Sequence, residues 1–152
     1  MEPIQLFIEA DKPDVNNQWN AELTAALKRL DSVEQVLIIE ENERSHVELF
    51  ISYQMEELPM REIEQTVSES GTNILSMSVR FPSGISGIAD PYRASAFAPS
   101  LNEAFSQIAG ICSAAISSKG TITVTLDTAF GDKQLAMNEA LKHILQMKAS
   151  TF

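Results

Sequence analysis

The side chains able to do chemistry are few and scattered. There is one cysteine, Cys112, so no disulfide framework and no thiol pair for a metal exists. Cys112 follows a helix and opens a strand. A reactive thiol needs a cation or a helix N-terminus beside it, and the local sequence offers neither, so it is expected to be a small, half-buried structural residue. His46 falls in a hairpin turn and His143 on the last helix beside Lys142. Both are expected to face solvent, and no His, Asp or Glu spacing forms a ligand set. Met55, Met60, Met77, Met137 and Met147 lack the dense runs of a thioether copper site and read as core filling. Glu40-Glu41-Asn42-Glu43 and Glu56-Glu57 are acidic turns without the alternating Asp pattern of a calcium loop. The glycines form no phosphate cradle, and no Gly-x-Ser-x-Gly elbow appears. The chain is not expected to be an enzyme or to hold a cofactor.

Charge narrows the partners. The net charge is −10. Residues 1–80 hold 16 acidic and 6 basic side chains, a difference of −10, while residues 81–152 hold 5 of each. A phosphate backbone is bound by clustered Lys and Arg, so nucleic acid is not an expected partner. No apolar run is long enough to span a membrane, and MEPIQLFIEA lacks the basic n-region of a secretion signal. The expectation is a cytoplasmic protein with no membrane partner.

The elements are legible from periodicity. Ile4 to Ile8 reads as a first strand, and Pro13 breaks it, with Asp14, Asn16 or Asn17 available to cap a helix. Trp19, Leu23, Ala26, Leu27 and Leu30 share one helical face. Val36–Ile39 and Val47–Ile51 flank a polar turn as a hairpin. Met60, Ile63 and Val67 make a second helix after Pro59, with Gly71 as its C′ residue, and 74–81 is a closing strand. PSGISGIADPYR, residues 82–93, is the natural boundary, with a weak strand possible over 85–89. Ser100 and Glu103 are spaced as a capping box ahead of Leu101, Phe105 and Ile108, and Gly110 ends that helix. Ala114–Ile116 and Thr121–Leu126 form a hairpin. Leu135, Met137, Leu141, Ile144 and Leu145 mark the last helix, leaving only residues 147–152 for a closing strand that is short or missing.

The order repeats. With Val33 placed on Ile111, Leu30 falls on Ile108, Leu27 on Phe105 and Leu23 on Leu101. With the hairpin turn shortened by three residues, Val47, Leu49 and Ile51 fall on Ile122, Val124 and Leu126. The fold class is therefore α+β: two ferredoxin-like βαββαβ units with antiparallel sheets, over residues 1–81 and 94–152, joined by 82–93.

AFSQIAGICSAAISSKGTITVTLD resembles the heavy-metal-associated (HMA) domain, whose first helix ends in Leu-x-x-Leu-x-Gly-Val before a strand of the type x-x-Ala-x-Val. Phe105, Ile108, Gly110, Ile111, Ala114 and Ile116 carry the match; Leu27, Leu30, Val33, Val36 and Ile38 carry a fainter one in the first half. The resemblance implies a Cys-x-x-Cys site for a soft ion at the loop before the first helix. Counting back from the Gly-Val position puts the two cysteines at Asn16 and Trp19 in the first unit and at Ala94 and Phe97 in the second. No ligand stands at any of the four. Trp19 and Phe97 are expected to fill apolar space under the loop. The implied function is a non-catalytic binding or assembly module that has lost metal binding. Its partner would be a protein or a second copy, joined through a sheet edge as a homodimer. Two alternatives are an accessory of metal homeostasis docking on a metal carrier or pump, and a small-molecule sensor or enzyme using a cleft between the units.

Overall fold

The computed structural model describes residues 3–13, 18–40, 45–55, 57–81, 101–117 and 120–151. The chain divides into two compact units, Pro3–Met77 and Ser78–Phe152.

In the first unit the order is β1 (Ile4–Asp11), α1 (Trp19–Lys28), β2 (Val33–Glu40), β3 (His46–Tyr53), α2 (Met60–Glu69) and β4 (Asn73–Phe81), whose last residues pass into the second unit. The strands lie in the order β2-β3-β1-β4, with β1 and β2 each antiparallel to β3. The central strand between two crossover-linked strands is the split βαβ arrangement. Alternation decides which residues face the helices. Leu6, Ile8 and Ala10 on β1, and Val47, Leu49, Ile51 and Tyr53 on β3, are buried beneath Trp19, Leu23 and Leu27 of α1 and Met60, Ile63 and Val67 of α2. β1 runs to Asp11, beyond the expected Ile8, because β3 offers it partners as far as His46. α1 begins as expected at Trp19, but its N-cap is Gln18, without a side-chain cap bond, and not Asp14, Asn16 or Asn17. α2 ends with Gly71 at φ +86° and its N–H on Ser68 O.

The second unit holds α3, helical over 101–106, then β5 (Ile111–Ile116), β6 (Ile122–Leu126) and α4 (Lys133–Thr151). Leu101 and Phe105 of α3 are buried, as are Ile122, Val124 and Leu126. Asp132 opens α4 by accepting the Leu135 N–H at 3.1 Å. The closing strand expected to be short or missing does not form over 147–151, which continue α4, since Met147, Lys148 and Ala149 are strong helix formers at the end of an established helix. One expectation is corrected here. The buried stripe of α4 is Ala136, Met137, Ala140 and Ile144, while Leu135 is 51% exposed, because burial follows the small residues that let the helix approach closely.

The hairpin alignment is corrected too. Val33 pairs with Tyr53, 20 residues on, and Ile111 with Leu126, 15 residues on, so the second hairpin is shorter by five residues, not three. Register thus sets Leu49, Ile51 and Tyr53 against Ile122, Val124 and Leu126. The proposed linker 82–93, its weak strand 85–89 and the capping residue Ser100 lie outside the described residues.

Candidate functional site

Of the four positions singled out, the structure describes Trp19; Asn16, Ala94 and Phe97 lie outside the described residues. Trp19 is the first residue of α1 and is only 6% exposed. Its ring fills the seam where the start of α1 meets the end of α2. Its indole Nε1–H donates to Thr72 Oγ1 at 2.9 Å. Ser70 Oγ donates to Val67 O at 2.6 Å, and Ser70 Oγ and Thr72 Oγ1 are 2.7 Å apart. Each hydroxyl has one proton. Ser70 spends its proton on a carbonyl that can only accept, so Thr72 must be the donor to Ser70. The result is a one-way relay, indole to Thr72 to Ser70 to the last turn of α2, with every polar hydrogen satisfied. Sequence reading placed Trp19 under the loop but missed Thr72. The available signal was a Ser-x-Thr directly after a helix, a common way to cover end carbonyls.

A second cluster fixes the same end of the sheet. Lys12 Nζ meets Glu40 Oε1 at 2.8 Å, and Asn20 Nδ2 donates to Glu40 Oε2 at 2.9 Å. Thr24 Oγ1 donates to Asn20 Oδ1 at 3.2 Å, holding the amide in orientation. Glu40 thereby ties the residue just past β1 and the end of β2 to the first turn of α1. The Lys12 ammonium and the Asn20 amide hold its carboxyl below the usual carboxylate range. Pro13 lies beside the turn that follows α2: a Cβ at Gly71 would lie 3.3 Å from Pro13 Cβ.

Beside the relay, Trp19, Glu22 and Leu23 of α1 and Thr66, Glu69 and Ser70 at the end of α2 border an open groove of about 310 Å³. Two of its polar groups are committed elsewhere: Thr66 Oγ1 donates to Glu62 O, and Glu69 accepts from Gln65. Glu22 and Glu69 are exposed. Nothing here is paired as nucleophile and base, and no group of three or more His, Cys, Asp and Glu able to hold a metal occurs among the described residues.

The remaining candidates move away from solvent or toward it for local reasons. Cys112 is exposed, not half-buried, because the bulge between Ile111 and Ser113 leaves it out of the strand register. His143 is half-buried, not solvent-facing: its ring stands edge-on to Phe105 at 5.7 Å, and Nδ1 lies 2.8 Å from Glu139 O. His46 is half-buried as the first residue of β3, opposite Asp11. Met55, Met60, Met77 and Met137 are all core residues. Tyr53 is fully buried, and its hydroxyl has no hydrogen-bond partner among the described residues. Burial, with a smaller contribution from the Glu64 carboxylate, pushes its phenol well above the ordinary range. No helix among the described residues is long and apolar enough to cross a membrane.

No family model matches the sequence, and no curated protein matches it. Among solved structures, the chain is similar to the N-terminal soluble domains of Bacillus subtilis CopA, at 15% identity and TM-score 0.43 over 91% of this chain and 90% of that one. It is similar to the N-terminal extension of Cupriavidus metallidurans CzcP, at 17% identity and TM-score 0.35 over 91% and 96%. It is also similar to the regulatory subunit of aspartate kinase from Thermus thermophilus, at 17% identity and TM-score 0.34 over 91% and 92%. At these identities and scores the likenesses assign neither a family nor an activity.

Proposed function

We propose that the chain is a non-catalytic binding or assembly module made of two HMA-like units that no longer bind metal. The observation that carries this reading is Trp19. At the position where the resemblance implies the second cysteine, a buried indole is bonded to Thr72 and offers no lone pair to an ion. The Lys12–Glu40–Asn20 contacts tie the residue after β1 and the first turn of α1 to the end of β2, a structural use of the flanks of the position where the resemblance implies a metal.

The duplication is supported by hydrogen bonds that recur 78 positions apart, as from Val33 to Ile111. Leu30 N–H bonds Leu27 O at 3.1 Å, and Ile108 N–H bonds Phe105 O at 3.0 Å. Val33 N–H lies 3.5 Å from Leu30 O, and Ile111 N–H lies 3.1 Å from Ile108 O. Ser32 and Gly110 both take positive φ, at +67° and +90°. Each accepts at its carbonyl from the residue just past the paired strand, Gln54 at 3.3 Å and Asp127 at 2.8 Å. Each hairpin then has a register shift at its second residue.

The test is titration of the reduced chain with Cu(I) and with Zn(II), followed by native mass spectrometry. The expected result is no stoichiometric complex. One tightly held ion per unit overturns the proposal.

A further inference from the structure

Two of the three most exposed large apolar side chains described in the first unit, Leu37 and Ile39, stand on one strand; the third, Leu75, is on β4. β2, Val33–Glu40, lies at the end of the strand order and, among the described residues, is hydrogen-bonded on one side only, to β3. Leu37 is 49% and Ile39 47% exposed, while Val36 and Ile38, on the helix side, are only half-buried. An eight-residue edge strand with Val-Leu-Ile-Ile at its centre carries its charges, Glu34 and Glu40, only toward its ends. It holds no Lys and no Pro, and its one irregularity lies at the far end, between Val33 and Gln35. The apolar surface continues inward, since Leu37 stands opposite Phe50 and the Phe50 ring packs on Phe7 at 5.1 Å.

The strand's own charges are acidic, and the cation described against it, Lys12, is held by Glu40 at its last residue. Ile39 pairs with Glu48, and Glu48 pairs with Glu9, so two carboxylates face each other across neighbouring strands on the face that carries Leu37. Like charges in direct register oppose folding. No cation of the described residues forms an ion pair with either; the described ion pair is Lys12–Glu40. Glu34 adds a third exposed carboxylate at the start of β2.

We propose that the outer edge of β2 receives an extended segment of a partner protein as an added strand, apolar at its centre and carrying Lys or Arg at its flanks. Main-chain hydrogen bonds to β2 supply the register. Apolar side chains cover Leu37 and Ile39, and the cationic flanks meet Glu34 and the Glu48–Glu9 pair. A second copy of this chain fits less well: two-fold antiparallel pairing centred on Leu37 sets Glu34 against Glu40 of the second copy. The inference rests on the reading of the chain as a binding module and names the surface that binds.

The experiment uses the full chain and two synthetic peptides. One has Val-Leu-Ile flanked by two lysines on each side; the other has glutamates in place of the lysines. Expected are backbone amide shifts and slowed hydrogen exchange confined to β2 and its neighbours with the lysine peptide, and binding at least about tenfold weaker for the glutamate peptide. Leu37→Lys should abolish binding without lowering the unfolding midpoint, and Glu34→Lys with Glu48→Lys should reverse the peptide preference. Shifts elsewhere, or equal binding of both peptides, overturn the proposal. So does a dimer in sedimentation that Leu37→Lys dissolves, which would make the second copy the occupant. Each of these results is independent of the metal titration, so the two proposals fail separately.

Discussion

Trp19 Nε1 donates to Thr72 Oγ1 across 53 residues of sequence, and both side chains are buried. The bond joins the first residue of α1 to the turn that leads α2 into β4. Trp19→Ala should destabilise by about 3–5 kcal/mol through the cavity it leaves. Thr72→Val keeps the shape but strands a buried N–H, at about 1–3 kcal/mol. In a cycle with Trp19→Phe the two effects should be less than additive by about 1 kcal/mol, because either change alone breaks the same bond. Urea unfolding of the four proteins measures this; strict additivity would remove the bond from the account.

Tyr53 gives the opposite expectation. Its hydroxyl is buried without a partner among the described residues, and such a group carries its desolvation cost uncompensated. Tyr53→Phe should leave stability unchanged or raise it by up to about 1 kcal/mol, although the residue is central to the core. The pH dependence follows from the raised phenol. The folded state holds the proton above the ordinary pKa of 10.0, so stability is fully present below that pH and falls as pH rises beyond it. Thermal unfolding between pH 8 and pH 11 should show a steeper alkaline decline in the wild type than in Tyr53→Phe.

What the sequence made legible was whatever one residue's burial decides. Trp19, Leu23 and Leu27 follow a helical period, and Val47, Leu49 and Ile51 a strand period, because each contacts a single apolar layer. The seam under Trp19 could be expected from its size and place. Its partner could not, because Thr72 enters through tertiary contact and leaves no period. The Lys12–Glu40–Asn20 cluster was hidden for the same reason, and Glu40 read as part of an acidic turn. β2 was assigned as a strand but not as an edge, although four consecutive apolar residues need cover on both faces to be buried. α4 misled in the other direction. Met137 and Ile144 of the expected stripe are buried, but Leu135 is not, and the small residues Ala136 and Ala140 complete the buried face.

Glu40 links pH to the end of the sheet where β1 turns toward α1. Its folded pKa is depressed, so its contribution is fully present above the ordinary carboxyl value of 4.5 and is lost as pH falls from there through the lower folded value. The side chain is 36% exposed, so solvent screens the pair and the whole contribution is under about 1 kcal/mol. Glu40→Gln should therefore barely move global stability at pH 7. It should speed amide exchange at Lys12 and at the first turn of α1, and the difference from wild type should shrink as pH falls below 4.5. Equal exchange in the two proteins at pH 7 would show that the cluster does not restrain the loop.

Gly110 is required by two separate effects, and they can be taken apart. At φ +90° an L side chain is strained, at about 1–2 kcal/mol. A Cβ there would also lie 2.4 Å from Phe130 Cδ1, inside the ring's van der Waals surface. Overpacking of that kind costs about 1–3 kcal/mol more. Gly110→Ala should thus destabilise by about 2–5 kcal/mol in urea unfolding. In a Phe130→Ala background the ring is gone, so the same substitution should cost only the conformational share. Ser32 shows that share to be tolerable, since at φ +67° it is held by mutual hydrogen bonds with Gln54. If Gly110→Ala costs as much with Phe130 removed as with it present, the close approach of the ring is not what reserves the position for glycine.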